Sequence, residues 1–337
     1  MKAIALVDRF GVDALKTIEI DTPVPAAGEV LVRIDAVALN YRDLQVIDGV
    51  RPLTLPLVPL SDAAGEVVAL GEGVTSFAVG ERVMPTFIQG WTAGPHPQID
   101  PLPTLGAPLP GVCRPYAAFP EADLVRVPAH LSAEEAATLP CAAVSAWNAL
   151  FVATHVGPGQ TVLVQGTGGV SMFALQFAKS AGASVVVVSG SAEKMARARE
   201  MGADHVLNYR ETPDWGTAVR QLVPGGVHCV VEVGGETTVA QSIIALRNAG
   251  HISYVGFLSG TTPKFDLGEL SRKSIRVVGI RVGNRSSFED MCRAIEAARL
   301  RPVVDTVYPI ADLATALSRL RHGKHVGKIV LRVGEAI

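Results

Sequence analysis

Cysteine is scarce in this chain, and its few cysteines are far apart. Cys113, Cys141, Cys229 and Cys292 form no CxxC motif. A disulfide framework or a structural zinc cluster needs closer, paired spacing. The sequence therefore predicts a reduced protein without either feature.

Long apolar runs and blocks of like charge are also missing. No apolar stretch is long enough to span a bilayer, and the N-terminal MKAIALVDRFG meets an acid and an arginine too early for a secretory signal. No Lys/Arg run occurs, and the net charge is −2, which argues against a nucleic-acid partner. We expect a soluble, cytoplasmic protein that acts on a small molecule, with no membrane or nucleic-acid partner.

The chain is long enough for two domains, and its texture changes along its length. It has 337 residues, of which 48% are apolar. Residues 1–125 are rich in β-branched residues and turns; EVLVRIDAVAL (29–39) alternates as a half-buried strand does. Residues 88–115 are rich in proline and glycine and predict a long loop. That loop is either a lid or pocket wall, or a poorly ordered insertion.

Strands and helices alternate from about residue 126 to 298. A capping box at Ser132 and Glu135 opens this region. Apolar strands follow at 162–165, 184–189, 205–208, 228–234, 251–256 and 276–282, with helices at 171–181, 192–201, 215–222 and 237–248. This rhythm predicts a doubly wound α/β domain with a parallel sheet. The tail, 299–337, holds a helix (311–321) and a strand, and is expected to complete the first domain.

The stretch TVLVQGTGGVSMF (161–173) joins a strand to a helix through a glycine-rich turn. Glycines allow the tight turn and a close backbone approach to a pyrophosphate, and the helix N-terminus attracts that anion. Ser171 stands where the usual GxGxxG fingerprint has its last glycine; it is small enough for close packing, and its hydroxyl is a further candidate donor to phosphate. The predicted cofactor contacts here are Gly166, Thr167, Gly168, Gly169, Val170 and Ser171.

The end of the second strand of this domain indicates which dinucleotide binds. An NAD site usually places an acid there, on the ribose 2′-hydroxyl. Here the strand ends in Ser189, Gly190 and Ser191, none of which is a carboxylate. Small residues leave room for a 2′-phosphate that an acid would repel, so the sequence favours NADP(H).

Basic and phenolic side chains near this strand end are candidate partners of the 2′-phosphate. Lys194 lies shortly after the strand, and Tyr209 and Arg210 end the third strand. Taken alone, Lys194 fits an ordinary exposed helix lysine better; the missing acid and the flanking serines reverse that interpretation. Glu193 is interpreted as facing solvent. We predict that Lys194 and Tyr209 contact NADP(H).

Several motifs in order along the whole chain resemble the medium-chain dehydrogenase/reductase superfamily. They are GEVLVRIDAVALNYRD, PLSDAAGEVVALGEGVTSFAVGERV, LPCAAVSAWNAL, VLVQGTGGVS and MGADHVLNYRE. The resemblance is strongest to the zinc-free, quinone-oxidoreductase-like branch. It implies a GroES-like catalytic domain over 1–125, completed by 299–337, a Rossmann cofactor domain over 126–298, and an active site in the cleft between them.

The resemblance also indicates which positions of this chain would have to bind a catalytic zinc ion. Zinc-dependent relatives use an early Cys, the His of a GHE motif and a Cys just before the Rossmann domain. Here residues 40–43 read NYRD and residues 60–62 read LSD, so only Cys141 remains. Catalytic zinc needs three protein ligands. We predict no zinc, and we expect Cys141 to be a buried helix cysteine.

Hydride transfer without a metal suits an acceptor that is already electron-poor, such as a quinone, an enone or another activated carbonyl. By resemblance, Asn40 and Asp43 line the substrate pocket; Asn40 is the candidate donor to the substrate oxygen, and Asp43 is expected to order the loop. Tyr41 is a further catalytic candidate. Ordinary loop structure remains open for these residues, with Asp43 as a helix cap and Arg42 as a surface charge.

One departure from quinone reductases keeps the substrate class open. They carry tyrosines after this motif, where this chain has Gln45 and the stretch VRPL (50–53). Alternatives are an alcohol dehydrogenase of the same superfamily and an NADPH-sensing protein without turnover.

The apolar segment RVVGIRV (276–282) predicts how the chain associates. It contains no lysine or proline to protect a sheet edge. We expect it to be the edge strand of the cofactor sheet, and a homodimer to form by pairing across it.

Overall fold

The computed structural model describes residues 1–50 and 52–334. The chain separates into two compact units, the first containing residues 1–144 and 283–337 and the second residues 145–282. The sequence placed the changes of texture near 125 and 299. The intervening segments belong to the first unit because the short helix at 133–136 packs on strands of that unit, as does the helix at 285–297. Arg51, within the 50–53 stretch, lies outside the described residues.

The first unit is built on a mainly antiparallel β-structure, in which only the pair formed by residues 304–309 and 328–332 is parallel among the described strands. A β1–β2 hairpin stands apart from a seven-stranded sheet ordered β14-β15-β3-β4-β5-β7, with β6 paired to β3. Its strands are β1 (Lys2–Leu6), β2 (Leu15–Glu19), β3 (Glu29–Ala38), β4 (Asp62–Leu70), β5 (Arg82–Pro85), β6 (Tyr116–Pro120), β7 (Leu124–Arg126), β14 (Val304–Pro309) and β15 (Lys328–Arg332). Its helices are α1 (Tyr41–Ile47), α2 (Ala133–Ala136), α9 (Arg285–Ala297) and α10 (Leu313–Arg321), and α3 (Val144–Trp147) straddles the boundary between the units.

Strand β3 shows why the alternating sequence folds as it does and where it delivers the chain. Val30, Val32 and Ile34 face the core with at most 2% exposure, while Arg33 on the other face pairs with Glu66. The β3–β4 contact is close: a Cβ on Gly65 would lie 1.8 Å from a backbone oxygen of β3. The strand ends at Ala38, so the next residues enter α1 beside this sheet.

The second unit is a parallel sheet in the order β10-β9-β8-β11-β12-β13, the doubly wound arrangement. The strands are β8 (Thr161–Gln165), β9 (Ser184–Ser189), β10 (His205–Asn208), β11 (Val227–Glu232), β12 (Leu246–Tyr254) and β13 (Arg276–Gly279). The helices are α4 (Gly169–Ser180), α5 (Ala192–Glu200), α6 (Trp215–Leu222), α7 (Val239–Ala245) and α8 (Leu267–Arg272). The predicted GroES-like and Rossmann fold class is confirmed.

Several predicted boundaries in this unit are wrong; the strand expected at 251–256, for example, begins at Leu246. The helix expected at 237–248 ends at Ala245, and the chain is extended from Leu246 onward. The buried Lys273 ammonium explains this end, because it donates to the carbonyls of Ile243, Ile244 and Leu246 at 2.8, 3.0 and 3.3 Å. The strand expected at 276–282 stops at Gly279, although it is the edge strand as predicted.

Among residues 1–50 and 52–334, no helix is both long and apolar enough to cross a membrane.

Candidate functional site

The glycine turn after β8 presents bare backbone at the start of α4. Gly166 has a φ of 68°, a region that favours glycine. A Cβ on Gly166 or Gly168 would meet no atom within 4 Å. The N–H groups in the first turn of a helix have no intrahelical acceptor. In α4 no side chain caps them at Gly168 either. This turn is an open, electropositive cradle that fits a pyrophosphate.

An orphaned hydroxyl lies within the same turn. Thr167 is 3% exposed, and its Oγ1 has no hydrogen-bond partner among the described residues. A buried hydroxyl without a partner is costly. A dinucleotide oxygen at this position would remove that cost, so the residues present fit the cofactor that the fold implies.

Ser171 acts differently from the expected phosphate donor. Its hydroxyl is buried and donates to the carbonyl of Gln165 at 2.6 Å. The hydroxyl therefore joins the helix to the end of β8 and is not free to donate to a phosphate. Ser171 takes over the packing role of the usual third glycine and adds one hydrogen bond to it.

The residues after β9 surround a second bare backbone position. A Cβ on Gly190 would lie 2.6 Å from the Tyr209 ring and 2.9 Å from Nε of Arg210. Ser191 caps α5, accepting from the Lys194 N–H at 3.5 Å. Ser189 is buried, and its carbonyl accepts the Tyr209 N–H at 3.2 Å. The structure thus brings the predicted residues together around Gly190.

Among the described residues, the atoms nearest to a Cβ on Gly190 belong to Tyr209 and Arg210 and include no carboxylate. Glu193 is exposed on α5, as expected, and Glu211 is engaged by Asn208 at 2.6 Å. The side chains placed beside Gly190 are the Tyr209 phenol and the Arg210 guanidinium, both of which can donate a hydrogen bond to a phosphate.

Sequence reasoning missed a buried carboxylate at the centre of the sheet. Glu232 ends β11 with 0% exposure. Its Oε1 accepts from the Gly234 and Gly235 N–H groups at 2.9 and 3.0 Å, and its Oε2 accepts from Gln165 Nε2 at 2.7 Å. The hydroxyls of Thr238 and Ser242 also donate to it, each at 2.5 Å.

This network fixes the backbone where β8 and β11 end side by side. Gln165 Oε1 also accepts from the Val233 and Gly234 N–H groups, both at 3.2 Å. Dinucleotides bind outside the carboxyl ends of such strands, at the point where strand order reverses. An acid at the end of an apolar strand, with two glycines after the next residue, was the sequence signal for it.

In the first unit, Asn40 is the N-cap residue of α1, and Asp43 forms a capping box with it. Asp43 Oδ2 accepts the Asn40 N–H at 2.7 Å, and Asp43 is 1% exposed. Burial raises the pKa of Asp43 to about 6, against the opposing effect of the nearby Arg42 charge. Asp43 therefore orders the start of this helix, while Asn40 keeps partial exposure.

The structure corrects the expectation for Arg42 and does not test that for Tyr41. Tyr41 is 46% exposed in the first turn of α1, and its catalytic role stays a prediction. Arg42 is not a surface charge: it donates to the carbonyls of Leu105 and Ala107 at 2.9 and 3.2 Å. The 88–115 segment is therefore tied to α1 and is not a poorly ordered insertion.

At the positions that hold zinc in metal-dependent relatives, protein groups bond to one another. Asp62 is 0% exposed; its Oδ1 accepts from Ser61 Oγ at 2.8 Å and its Oδ2 from the Cys141 N–H at 3.2 Å. The Lys328 ammonium lies 3.8 Å from Asp62 Oδ2 and is 3% exposed. Asn40 Nδ2 reaches Ser61 Oγ at 3.4 Å.

This donor set does not fit a catalytic zinc ion. Zinc binds thiolate, imidazole or carboxylate ligands, usually three from the protein. Cys141 lies in the π-helical segment Leu139–Ala143 and keeps some exposure as a residue, but its thiol is enclosed, and this burial raises the thiol pKa. The neighbouring ammonium adds a like charge. Across the described residues, no group of three or more His, Cys, Asp or Glu side chains is placed to hold a metal.

Comparison with known proteins identifies the family. The family described as alcohol dehydrogenase GroES-like domain matches residues 26–129, and the one described as zinc-binding dehydrogenase matches residues 169–297. A zinc-type alcohol dehydrogenase-like protein of Schizosaccharomyces pombe is 44% identical over 333 residues, covering 96% of both chains. The chain belongs to the medium-chain dehydrogenase/reductase family. It is an oxidoreductase of that family, whose cofactor is a nicotinamide dinucleotide.

Other proteins similar to this chain differ in the reaction that their names give. An acryloyl-coenzyme A reductase of Metallosphaera sedula is 30% identical and covers 93% of this chain and 95% of its own. Among solved structures, a putative alcohol dehydrogenase of Sinorhizobium meliloti has a TM-score of 0.92 at 40% identity, covering 98% of this chain and 99% of its own.

The cofactors named for the solved structures include both dinucleotides. A mycobacterial protein complexed with NADPH has a TM-score of 0.84 at 28% identity, covering 98% of this chain and all of its own. An NAD-dependent alcohol dehydrogenase has a TM-score of 0.92 at 33% identity, covering 99% of this chain and all of its own.

Proposed function

We propose that this protein is an NADPH-dependent, zinc-independent reductase of electron-poor carbonyl compounds: enones, quinones or similar acceptors. The observation that carries the proposal is the Asp62 carboxylate. Its oxygens are occupied by Ser61 and by the Cys141 N–H, beside the Lys328 ammonium. A carboxylate in these surroundings is held by protein donors, as it would be in a site that works without a metal.

Asn40 is the proposed catalytic residue. A bound dihydronicotinamide supplies hydride. When hydride adds to the β-carbon of an enone, the π electrons move onto the carbonyl oxygen, and the Asn40 amide stabilises the charge that develops there by donating a hydrogen bond. A proton from water then completes the reduction. An acceptor activated by conjugation needs no stronger electrophile than this amide.

NADPH is proposed as the cofactor because of the group around Gly190. Lys194 and Arg210 supply positive charge, and Tyr209 and Ser191 supply hydroxyls. A 2′-phosphate carries more negative charge than the 2′-hydroxyl of NADH and gains most from such partners.

The β13 edge is the proposed surface for a homodimer. Val277 and Val278 are 48% and 39% exposed on this edge strand. Pairing with a two-fold copy would satisfy the unpaired backbone groups and cover both valines.

The test of the proposed function is an NADPH oxidation assay with quinones, enones, aldehydes and alcohol oxidation in parallel, each with and without a chelator. We expect turnover of quinones or enones that the chelator does not change. Turnover restricted to alcohols and aldehydes and lost with the chelator would contradict the proposal. Cofactor binding without turnover of any acceptor would instead favour a sensing protein.

A further inference from the structure

The turn at residues 104–109 is joined to α1 by the hydrogen bonds of one arginine. The Arg42 guanidinium donates to the carbonyls of Leu105 and Ala107 at 2.9 and 3.2 Å. It also lies over the Phe87 ring, 4.8 Å from the ring centroid. Among the described residues, the hydrogen bonds between α1 and this turn come from this side chain, so a movement of the guanidinium would release the turn from the helix.

The residue that follows this arginine has an oxygen without a hydrogen bond. Asp43 Oδ2 accepts the Asn40 N–H at 2.7 Å, whereas Oδ1 is buried and has no hydrogen-bond partner among the described residues. Nη1 of Arg42 lies 3.9 Å from this Oδ1, about 1 Å beyond the length of a charge-assisted hydrogen bond. The guanidinium can therefore bond to the turn carbonyls or, after a short movement, to Asp43 Oδ1.

The charge on Asp43 decides which of the two positions is better. An ionised carboxylate oxygen that is buried without a donor is costly, and a neutral carboxyl group is less so. Burial raises the pKa of Asp43 to about 6, against the opposing effect of the Arg42 charge. The other titratable groups that act on these two side chains are Asp62 on β4, Lys328 on β15, and the buried thiols of Cys113 and Cys141.

We propose that Arg42 and Asp43 form a pH-sensitive switch that holds or releases the turn at 104–109. While Asp43 carries a proton, the guanidinium stays on the two carbonyls and the turn is held. When Asp43 is ionised, the guanidinium moves to Oδ1, gives up a carbonyl, and the turn opens more often. The turn belongs to the 88–115 segment, so the switch gives a candidate pocket wall two states. This inference does not depend on the proposed substrate or cofactor.

The test is hydrogen exchange of the peptide that covers residues 104–110. Its Leu105 and Leu109 N–H groups bond to the carbonyls of Phe87 and Thr104 at 3.1 and 3.2 Å. Exchange is measured at about pH 5 and about pH 8, on either side of the Asp43 pKa. It is expressed as protection factors, which removes the pH dependence of chemical exchange. A peptide from the buried strand β8 is the internal control.

In the wild type, we expect protection of the turn to fall roughly fivefold or more from the lower to the higher pH, as the loss of one charge-assisted hydrogen bond does. Asp43→Asn should change less than about 2-fold, because an amide does not ionise. Arg42→Gln should show low protection at both pH values. Asp312→Asn makes the same chemical change as Asp43→Asn at an exposed position and should keep the wild-type response.

Three results would overturn the inference. They are equal protection in the wild type at both pH values, the wild-type loss persisting in Asp43→Asn, and the same pH-dependent loss persisting in Arg42→Gln. If Asp43→Asn does not fold, Asp43→Ser, which keeps an acceptor for the Asn40 N–H, is measured under the same criterion.

Discussion

Gly190 is the residue around which the proposed contacts to the 2′-phosphate of NADPH are grouped. The Tyr209 ring and the Arg210 guanidinium lie where a side chain at 190 would stand. The strand end is therefore lined by groups from the next strand and from α5. Lys194 lies in the first turn of α5, the helix that follows this strand end.

Lys194→Ala is expected to weaken NADPH binding by roughly 1–3 kcal/mol and to leave NADH binding unchanged, because only NADPH carries the 2′-phosphate. Isothermal titration with both cofactors measures this. Arg197→Ala, one turn further along α5, is the control, since its guanidinium pairs with Glu200. Equal dissociation constants of the wild type for the two cofactors would contradict the account.

Asp43 makes stability depend on pH. Its pKa is raised to about 6 by burial; Arg42 on its own helix, Asp62 on β4 and Lys328 on β15 are the charged groups that act on it. The folded state therefore holds a proton on Asp43 at pH values where the unfolded chain has released it. The free energy of unfolding falls as pH rises from about 4 through about 6.

Asp43→Asn should remove this contribution. Relative to the variant, the wild type is expected to lose up to about 3 kcal/mol of unfolding free energy between pH 4 and pH 7. Urea denaturation across that range measures the difference, with Asp312→Asn, an exposed acid, as the control. A difference between wild type and Asp43→Asn that stays constant with pH would refute this prediction.

Local features of the site could be predicted from the sequence, whereas the contacts between distant residues could not. The turn at Gly166 and the bare position at Gly190 follow from neighbouring residues. Lys328 and Asn40 are separated by 288 positions, so their contact depends on β15 pairing with β3. The direction of the Ser171 hydroxyl was likewise set by packing, because a buried donor takes the nearest carbonyl.

At the scale of elements, the loop after β11 is held by one carboxylate. Glu232 Oε1 accepts from two backbone N–H groups and the Thr238 hydroxyl, and Oε2 accepts from the Ser242 hydroxyl. Only a side chain whose two terminal atoms are both acceptors can satisfy this arrangement. Glycine-rich backbone has little stiffness of its own. The shape of residues 233–235 thus depends on this side chain and on Gln165.

Glu232→Gln should destabilise the second unit, because the amide NH₂ would face buried donors. We expect a loss of about 2–4 kcal/mol and weaker NADPH binding, since the loop lies at the carboxyl end of the central strands. Thermal unfolding and fluorescence titration measure the two effects. Glu236→Gln makes the same chemical change at an exposed position of the loop and should be nearly neutral; similar effects from both variants would count against the network.

For the whole molecule, the proposal concerns how two copies of the chain associate through β13. The edge has exposed valines, and the other sheet offers a matched control: Val307 on the edge strand β14 is 38% exposed, and Val278 on β13 is 39% exposed. The same substitution at both sites separates a specific interface from a general effect of an added charge.

Val278→Lys should weaken dimer formation at least about tenfold, because each lysine would face its copy across the two-fold axis, while Val307→Lys should not. Light scattering at micromolar concentration, first on the wild type, measures this. A monomeric wild type would show that the β13 edge is not the dimer interface.

The measurement that tests the central claim most directly is elemental analysis of the dialysed protein, with NADPH-dependent reductase activity assayed on the same sample. The account predicts far less than one zinc per chain together with full activity, because the Asp62, Ser61, Cys141 and Lys328 groups bond to one another. About one zinc per chain, with activity that follows zinc content, would contradict it.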